Sequence, residues 1–355
     1  MKPKLKPLFI FELANNHNGS LERGIKIIAQ IKEQVQQYKQ DFDFAFKLQY
    51  RNLETFVHPE YKDETDIQSI KRFGEIKLTD EEILTLRNEI KKQGFISICT
   101  AFDEASVDVI DSQNYDFIKI ASCSFCDWPL LEKIATKNLP IIASTAGMSF
   151  ENIDKVVRFF TNRNKSISLM HCVAEYPTKN DNLQLNQIDL LKSKYPELTI
   201  GYSTHETPED SLSVKIAIAK GAEIFEKHVG LDDYEGSINA YSATPKQVGQ
   251  WLKCAKEAFD MCGVEGERYS FTQEEINSLK NLSRGVFSSR DIKKGEHINV
   301  SDVFLAIPTL SGQLLPSDLS RCKEFVATCD IKANSPIFSS CVEIVYLENR
   351  VGISL

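Results

Sequence analysis

A chain of 355 residues, 42% hydrophobic and 26% charged, has material for one large buried core and a second, smaller domain. Its net charge of −8 excludes a surface that tracks nucleic-acid phosphates, so an anionic ligand would need a local basic pocket. No uncharged apolar run approaches the roughly 18 residues of a membrane span, and no membrane partner is expected.

The chain opens MKPKLKPLFIFELANN, where a short apolar run leads directly into Asn15, Asn16 and His17 without a small-residue cleavage site. This reads as a first core strand rather than a signal peptide. Seven further apolar runs follow, giving candidate strands at Leu8–Leu13, Phe42–Leu48, Phe95–Ala101, Phe117–Ala121, Pro140–Ser144, Ser166–His171, Leu198–Tyr202 and Glu223–Glu226. They are rich in Ile, Phe and Leu, as parallel strands buried on both faces must be. Amphipathic stretches such as Gly24–Gln37, Asp80–Gln93, Ile153–Phe160 and Ser211–Lys220 lie between them. Residues 78–82 and 206–210 read as helix starts, a capping hydroxyl followed by acidic residues. Eight strand-then-helix units in about 260 residues predict a (β/α)8 TIM barrel over 1–262. The rival, a doubly wound sheet, would need a GxGxxG after the first strand, and none is there.

After Cys262 the composition changes. Residues 263–283 read as a linker with a short helix, and 284–345 as a small β-rich domain. It carries a repeated phrase, Asp291-Ile292-Lys293-Lys294-Gly295 and Asp330-Ile331-Lys332-Ala333-Asn334. The nine cysteines are scattered, and Cys123-x-x-Cys126 has no second pair to complete a zinc site. They read as reduced thiols of a cytoplasmic protein.

In such a barrel the reactive groups stand where strands end. Those ends offer Glu12, Lys47 with Gln49, Thr100, Lys119, Ser122, Ser144 with Thr145, His171, Tyr176, Ser203, His205, and Glu226 with Lys227 and His228. Strand alternation groups Lys47 with Gln49, Lys119 with Ala121, and Glu226 with His228 on one face, taken as inward. His205 and His228, on neighbouring strands, are placed to share a divalent ion or to serve as hydrogen-bonded structural histidines. Lysines are rarely buried unless paired, so Lys47, Lys119 and Lys227 point to an anion, with Ser122, Ser144 and Thr145 as neutral donors. Glu12 is either a lysine's partner or a general base.

These segments resemble the N-acetylneuraminate (sialic acid) synthase family. Glu12–Gly19 is similar to its ExxxNHNG opening, Lys47-Leu48-Gln49 to KxQ, Lys119–Ser122 to KIxS, and Ser144–Met148 to STGM with Ala146 inserted. His171-Cys172 with Tyr176-Pro177-Thr178 resembles HCxxxYPT, Gly201–His205 resembles GYSDH, and Glu226-Lys227-His228 is the EKH motif. The C-terminal domain is similar to the family's antifreeze-like (SAF) domain. The resemblance implies a transferase joining phosphoenolpyruvate to an open-chain sugar aldehyde, with release of phosphate. It implies a divalent metal, manganese above all, on His205 and His228. Phosphoenolpyruvate would be held by Lys47, Thr100, Lys119, Ser122, Ser144 and Ser203. The sugar would meet Gln49, Tyr176 and Glu226, while Glu12, Lys47 and Tyr176 take catalytic roles. It also implies a homodimer in which each small domain covers the other barrel.

The sugar half departs from the family pattern. Ala174 stands where some members carry Asn, and Gly236–Ser242 replaces GPDHxxS, with Ile238 and Asn239 at its centre. Ile307 precedes Pro308 where an Arg is expected, and Thr204 replaces the Asp of GYSDH. An Arg contact is not replaced by Ile without changing what is bound. The acceptor is thus expected to be an unusual nonulosonate precursor or a sugar without an N-acyl group. A phosphorylated acceptor would require further Arg or Lys in the sugar half, and none is read there. A catalytically idle carbohydrate-binding barrel is the third reading.

Overall fold

The computed structural model describes residues 6–62, 66–233, 238–264, 266–319 and 323–346. Eight parallel strands close into a barrel in sequence order: β1 (Leu8–Glu12), β2 (Asp43–Tyr50), β3 (Ile96–Ala101), β4 (Phe117–Ile120), β5 (Ile141–Ser144), β6 (Ile167–Cys172), β7 (Ile200–Thr204) and β8 (Ile224–His228). β1 closes the ring, Glu12 lying opposite Lys47 on one side and His228 on the other. The expected (β/α)8 barrel is therefore the observed fold.

The helices between the strands are amphipathic and capped. In α1 (Leu21–Val35), Ser20 accepts from the Arg23 N–H, and Ile27, Ile28, Ile31 and Val35 turn one buried stripe to the barrel. Two short helices follow β2, α2 (Leu53–Phe56) and α3 (Gln68–Glu75). The principal one there is α4 (Asp80–Lys92), whose capping box joins Thr79 and Glu82 as the sequence predicts. α1 and α4 pack closely because Gly24 has no side chain; a Cβ there would lie 2.7 Å from Leu86 Cδ2. α5 (Glu104–Ser112), α6 (Trp128–Ala135), α7 (Phe150–Thr161), α8 (Asn186–Lys194), α9 (Leu212–Ala219) and α10 (Pro245–Cys262) complete the ring. None of the described helices is long and apolar enough to cross a membrane.

The expected helix start at residues 206–210 is not one. That segment is a turn, and α9 begins at Leu212. The reason is Glu206, which is fully buried and paired with Lys227 at 3.0 Å, so its carboxylate anchors a loop rather than a first helical turn.

Two apolar cores follow from strand alternation. Outward residues such as Phe9, Phe11, Phe46 and Phe225 pack under the helices, Trp251 of α10 among them. Inward residues Leu8, Ile10, Ala45, Ile98, Ile142, Met170 and Ile224 fill the lower barrel as a plug. One alternation step further along the strands, the inward positions become Glu12, Lys47, Thr100, Ser144, Cys172 and Glu226. The apolar-to-polar switch falls at a similar height around the ring, so the plug is the floor of a polar chamber.

The chain divides into two compact units at Gly263/Val264, close to the expected boundary. The helix expected in the linker is α11 (Gln273–Leu282) and belongs to the second unit. That unit holds two small antiparallel sheets, one of β9 (Gly285–Ser288) with β11 (Val303–Ala306). The other joins β10 (His297–Ile298), β12 (Lys323–Ala327) and β13 (Val342–Tyr346). Its repeated phrase forms a local pseudo-dyad: Ile292 and Ile331 exchange backbone hydrogen bonds of 2.8 Å. Asp291 accepts from the Ala333 N–H, and Asp330 reciprocally from the Lys294 N–H. Gly295 and Asn334 occupy matching left-handed turns, with φ of 87° and 62°.

Candidate active site at the rim of the barrel

The polar chamber opens at the C-terminal ends of the strands as a cavity of about 460 Å³. Most of the residues predicted for the site line it: Glu12, Lys47, Gln49, Thr100, Lys119, Ser122, Ser144, Tyr176, Ser203, His205, Glu226 and His228. On its floor Lys47 Nζ bridges two buried carboxylates, 2.7 Å from Glu12 Oε2 and 2.6 Å from Glu226 Oε1. Glu12 is thus a lysine's partner, as one of its two readings had it. Burial opposes the charge on Lys47, but the two carboxylates more than offset it and raise Lys47 above the ordinary lysine range.

The two glutamates differ in surroundings. Burial raises Glu12; Lys47 opposes that, Glu226 reinforces it, and the Ala14 N–H donates to it at 2.6 Å. Burial also works against Glu226, yet Lys47 and Lys119 together hold it down to about 2, and Ser203 Oγ donates to it at 3.1 Å. Of the pair, Glu12 is the carboxylate whose surroundings favour the protonated form, through burial, while Glu226 is held ionised.

Lys119 is different again. It is 2% exposed, and no carboxylate contacts it among the described residues; its ammonium donates to Ser144 Oγ and to the Ile120 carbonyl. Burial, followed by the charge of Lys47, pushes it down to about 8. Ser122 Oγ meanwhile accepts from the Ala146 N–H at 3.1 Å.

The two predicted histidines face each other with ring centroids 5.4 Å apart. His205 Nδ1 lies 2.9 Å from the Val173 carbonyl, which only accepts, so that nitrogen carries the proton and Nε2 keeps its lone pair. His228 Nδ1 is buried without a partner. Burial lowers both and so favours the neutral imidazole. Among the described residues no group of three or more His, Cys, Asp or Glu converges as a metal cage.

Four of the nine buried side-chain atoms without a partner among the described residues border this cavity: Thr100 Oγ1, Glu226 Oε2, His228 Nδ1 and Arg51 Nε. Buried polar atoms left unpaired are costly, and such a concentration marks where a ligand completes the bonding.

Some expectations need correction. Lys227 does not serve the cavity: with Glu226 and His228 inward, parity sends it outward, where it pairs with Glu206 and lies 5.8 Å from the Trp251 ring. Thr145 gives its hydroxyl to the Met170 carbonyl at 3.0 Å, and His171 Nε2 bonds the Leu183 carbonyl at 2.8 Å. Thr204 also faces away, its hydroxyl 3.0 Å from that of Tyr202, so it is no departure in sugar contact. Ala174 and Asn239 do line the cavity, whereas residues 234–237 lie outside the described residues.

Sequence reasoning missed several wall residues. Asn16 donates to the Val229 carbonyl at 2.8 Å and to Ser242 Oγ at 3.0 Å, and Ser242 donates to Asn239 at 2.6 Å. This ties the first βα loop to the last. Tyr241 sets its ring edge-on to His228 at 5.1 Å, while Tyr176 lies 4.3 Å from the His205 ring, so two phenols flank the imidazoles. Arg51 and Arg72 also border the cavity.

A closed parallel barrel carrying ion-bridged carboxylates, a buried lysine on neutral acceptors and two buried histidines at its C-terminal rim defines a TIM-barrel enzyme. Residues 37–267 match the sequence profile of the NeuB family, and this chain belongs to it. A solved structure from Chromobacterium violaceum ATCC 12472, provisionally named spore coat polysaccharide biosynthesis protein E, is 47% identical with a TM-score of 0.92. The match covers 95% of this chain and all of that one. The N,N'-diacetyllegionaminic acid synthase of Legionella pneumophila is 26% identical, covering 90% of this chain and 91% of its own. The N-acetylneuraminate-9-phosphate synthase of Drosophila melanogaster is also 26% identical, over 85% and 87%. Synthases of this family condense phosphoenolpyruvate with a sugar, and this chain is a carbon–carbon bond-forming transferase of that group.

Proposed function

We propose that this chain condenses phosphoenolpyruvate with the open-chain aldehyde of a sugar, forming a nonulosonate-like 2-keto-3-deoxy sugar acid and inorganic phosphate. The observation that carries the reading is Lys119, a buried ammonium with two neutral oxygen acceptors and no carboxylate among the described residues. An uncompensated buried charge is costly, and a phosphorylated carboxylate ligand supplies the missing anion. Lys119, Ser122, Ser144 and Thr100 line the same cavity with Lys47 on its floor, and they are the residues we assign to phosphoenolpyruvate.

The reaction joins C3 of phosphoenolpyruvate to the aldehyde carbon, leaving cationic character at C2. Glu12, raised by burial, takes a proton from the water that adds at C2. Glu226, held ionised, faces the developing positive charge, and the aldehyde oxygen becomes a hydroxyl by taking up a proton. The C2–O bond to phosphate then breaks, which regenerates a carbonyl and balances the water consumed. Gln49 and Tyr176, both at the cavity wall, are assigned to the sugar. His205 and His228 fit a single divalent ion, manganese being the ion we assign. A metal bound there would supply Lewis acidity at the aldehyde oxygen.

On the same reading residues 284–345 are the antifreeze-like (SAF) unit, covering the barrel of a second chain in a homodimer, and the reaction runs in the cytoplasm. The direct test is a screen of aldoses with phosphoenolpyruvate and Mn²⁺, following phosphate release and product mass. Aldose-dependent phosphate with a matching product supports the assignment; release independent of every aldose contradicts it.

A further inference from the structure

The strands that carry the two histidines stop pairing just before they reach them. The ladder between β7 and β8 ends at Thr204 opposite Lys227, one residue short of His205 and of His228. The two rings nevertheless stand with centroids 5.4 Å apart, and two imidazoles share one cation only within a narrow range of spacing.

Their sequence neighbours carry the connection on, at the outer face of the barrel. Lys227 precedes His228, Glu206 follows His205, and the ammonium meets Glu206 Oε1 at 3.0 Å with both side chains at most 1% exposed. The same oxygen accepts from Ser213 Oγ at 2.7 Å, while Oε2 accepts from the Tyr202 hydroxyl at 3.4 Å. Lys227 Nζ also lies 5.8 Å from the centroid of the Trp251 ring. The bridge is thus tied to α9 through Ser213 and to α10 through Trp251. A surface pair exchanges with water and fixes little, but neither of these charges leaves its partner without a large desolvation penalty.

The two imidazoles are held unequally. The ring of His205 is fixed directly, through Nδ1 and the Val173 carbonyl, and its own carbonyl accepts from the Thr178 N–H at 3.0 Å. His228 Nδ1 has no partner among the described residues, so its ring is placed by its backbone. That backbone is held on either side. The Ala243 N–H donates to the His228 carbonyl at 2.8 Å, and the Val229 N–H to the Glu12 carbonyl at 2.9 Å. Glu206 anchors the preceding residue, and so couples the less constrained imidazole to the more constrained one.

Resting on the reading of His205 and His228 as ligands of one divalent ion, we propose that Glu206 and Lys227 are positioning residues for that site. Their buried bridge, outside the cavity, sets the spacing at which both imidazoles reach a single ion. Affinity for the ion is therefore governed in part by a pair that touches neither ion nor substrate.

The test is calorimetry of Mn²⁺ binding to the full-length, metal-free protein without substrates, run beside a denaturant titration. Glu206→Gln combined with Lys227→Met removes both charges at once, and neutral replacement of a buried pair leaves stability close to that of the wild type. The Mn²⁺ Kd should nonetheless rise by roughly tenfold or more, the scale on which contacts behind a metal ligand act. Glu206→Asp, which keeps both charges but shortens the reach, should weaken binding by a smaller factor. Ile110→Ala opens a cavity under α5, across the ring from β7 and β8, and should lower stability without moving the Kd. A wild-type Kd in both Glu206 variants overturns the proposal. So does an Ile110→Ala protein that loses as much Mn²⁺ affinity as the double variant, since the pair would then serve stability alone. Absence of Mn²⁺ binding by the wild type, or binding untouched by His205→Ala with His228→Ala, overturns the histidine reading itself, and this proposal with it.

Discussion

Replacing Lys119 by Met should weaken the enzyme and stabilise the fold at once. The ammonium sits fully buried against Ser144 Oγ and the Ile120 carbonyl, with its pKa pushed down to about 8 from the usual 10.5. That displacement corresponds to roughly 3 kcal/mol of penalty for keeping the charge inside the ligand-free protein. The folded state holds the proton less tightly than the unfolded state. The penalty is therefore complete below pH 8, shrinks as pH rises from 8 to 10.5, and vanishes above. Met, of similar length and uncharged, should raise the stability of the ligand-free protein at pH 7 by up to about 3 kcal/mol. The difference from the wild type should fade toward pH 10.5. Binding responds in the opposite sense. Loss of a charge-assisted hydrogen bond costs about 1.5–3 kcal/mol, so the KM for phosphoenolpyruvate should rise roughly 10- to 150-fold. Denaturant titration of the ligand-free protein at pH 7 and pH 10, with phosphate-release kinetics against phosphoenolpyruvate, measures both. A variant that is less stable at pH 7, or whose phosphoenolpyruvate KM is unchanged while the acceptor KM climbs, would refute the reasoning.

Other outcomes follow from the same geometry. His205→Ala combined with His228→Ala should abolish Mn²⁺ binding by calorimetry and metal-dependent phosphate release; full activity of the double variant after chelation would show the ion lies elsewhere. Glu206→Gln strands the Lys227 ammonium, 1% exposed, without its partner; loss of one member of a buried pair should cost about 3–5 kcal/mol in a denaturant titration, with no selective effect on the phosphoenolpyruvate KM. Since the charge of Lys119 is lost above about pH 8, kcat/KM for phosphoenolpyruvate should fall as pH rises through that value, and Lys119→Met should remove this limb from the profile. Truncation after Gly263 should leave a folded barrel with crippled turnover, and Ile307→Arg should move preference toward N-acyl hexosamines; normal turnover of the truncated chain, by the same phosphate assay, would make the small unit dispensable.

Much of this was legible because alternation and apolar runs are local. All eight strands lie within a few residues of their predicted positions, and parity assigns Lys47 with Gln49, Lys119 with Ala121, and Glu226 with His228 to one chamber. Lys227 was misassigned when residue type was allowed to outweigh parity: two inward neighbours force it outward. Its partner Glu206 lies 21 residues away, so the pair was invisible and the glutamate read as part of a helix start. Arg51 carried a usable signal, the third step of Lys47-x-Gln49-x-Arg51, but it falls just past the strand, where parity was not extended. Tyr241 carried none, since it reaches the histidines from an irregular loop. The capping box at Thr79 succeeded because its two members are three residues apart.

The central claim is that phosphoenolpyruvate and an aldose meet in this cavity and part with C–O cleavage. Phosphoenolpyruvate labelled with ¹⁸O at the bridging oxygen, turned over with Mn²⁺ and the best acceptor of the screen, tests it in one mass spectrum. Label appearing in inorganic phosphate, with a product heavier than the acceptor by pyruvate, is the predicted result; label retained in the product, or phosphate formed without such a product, would contradict it.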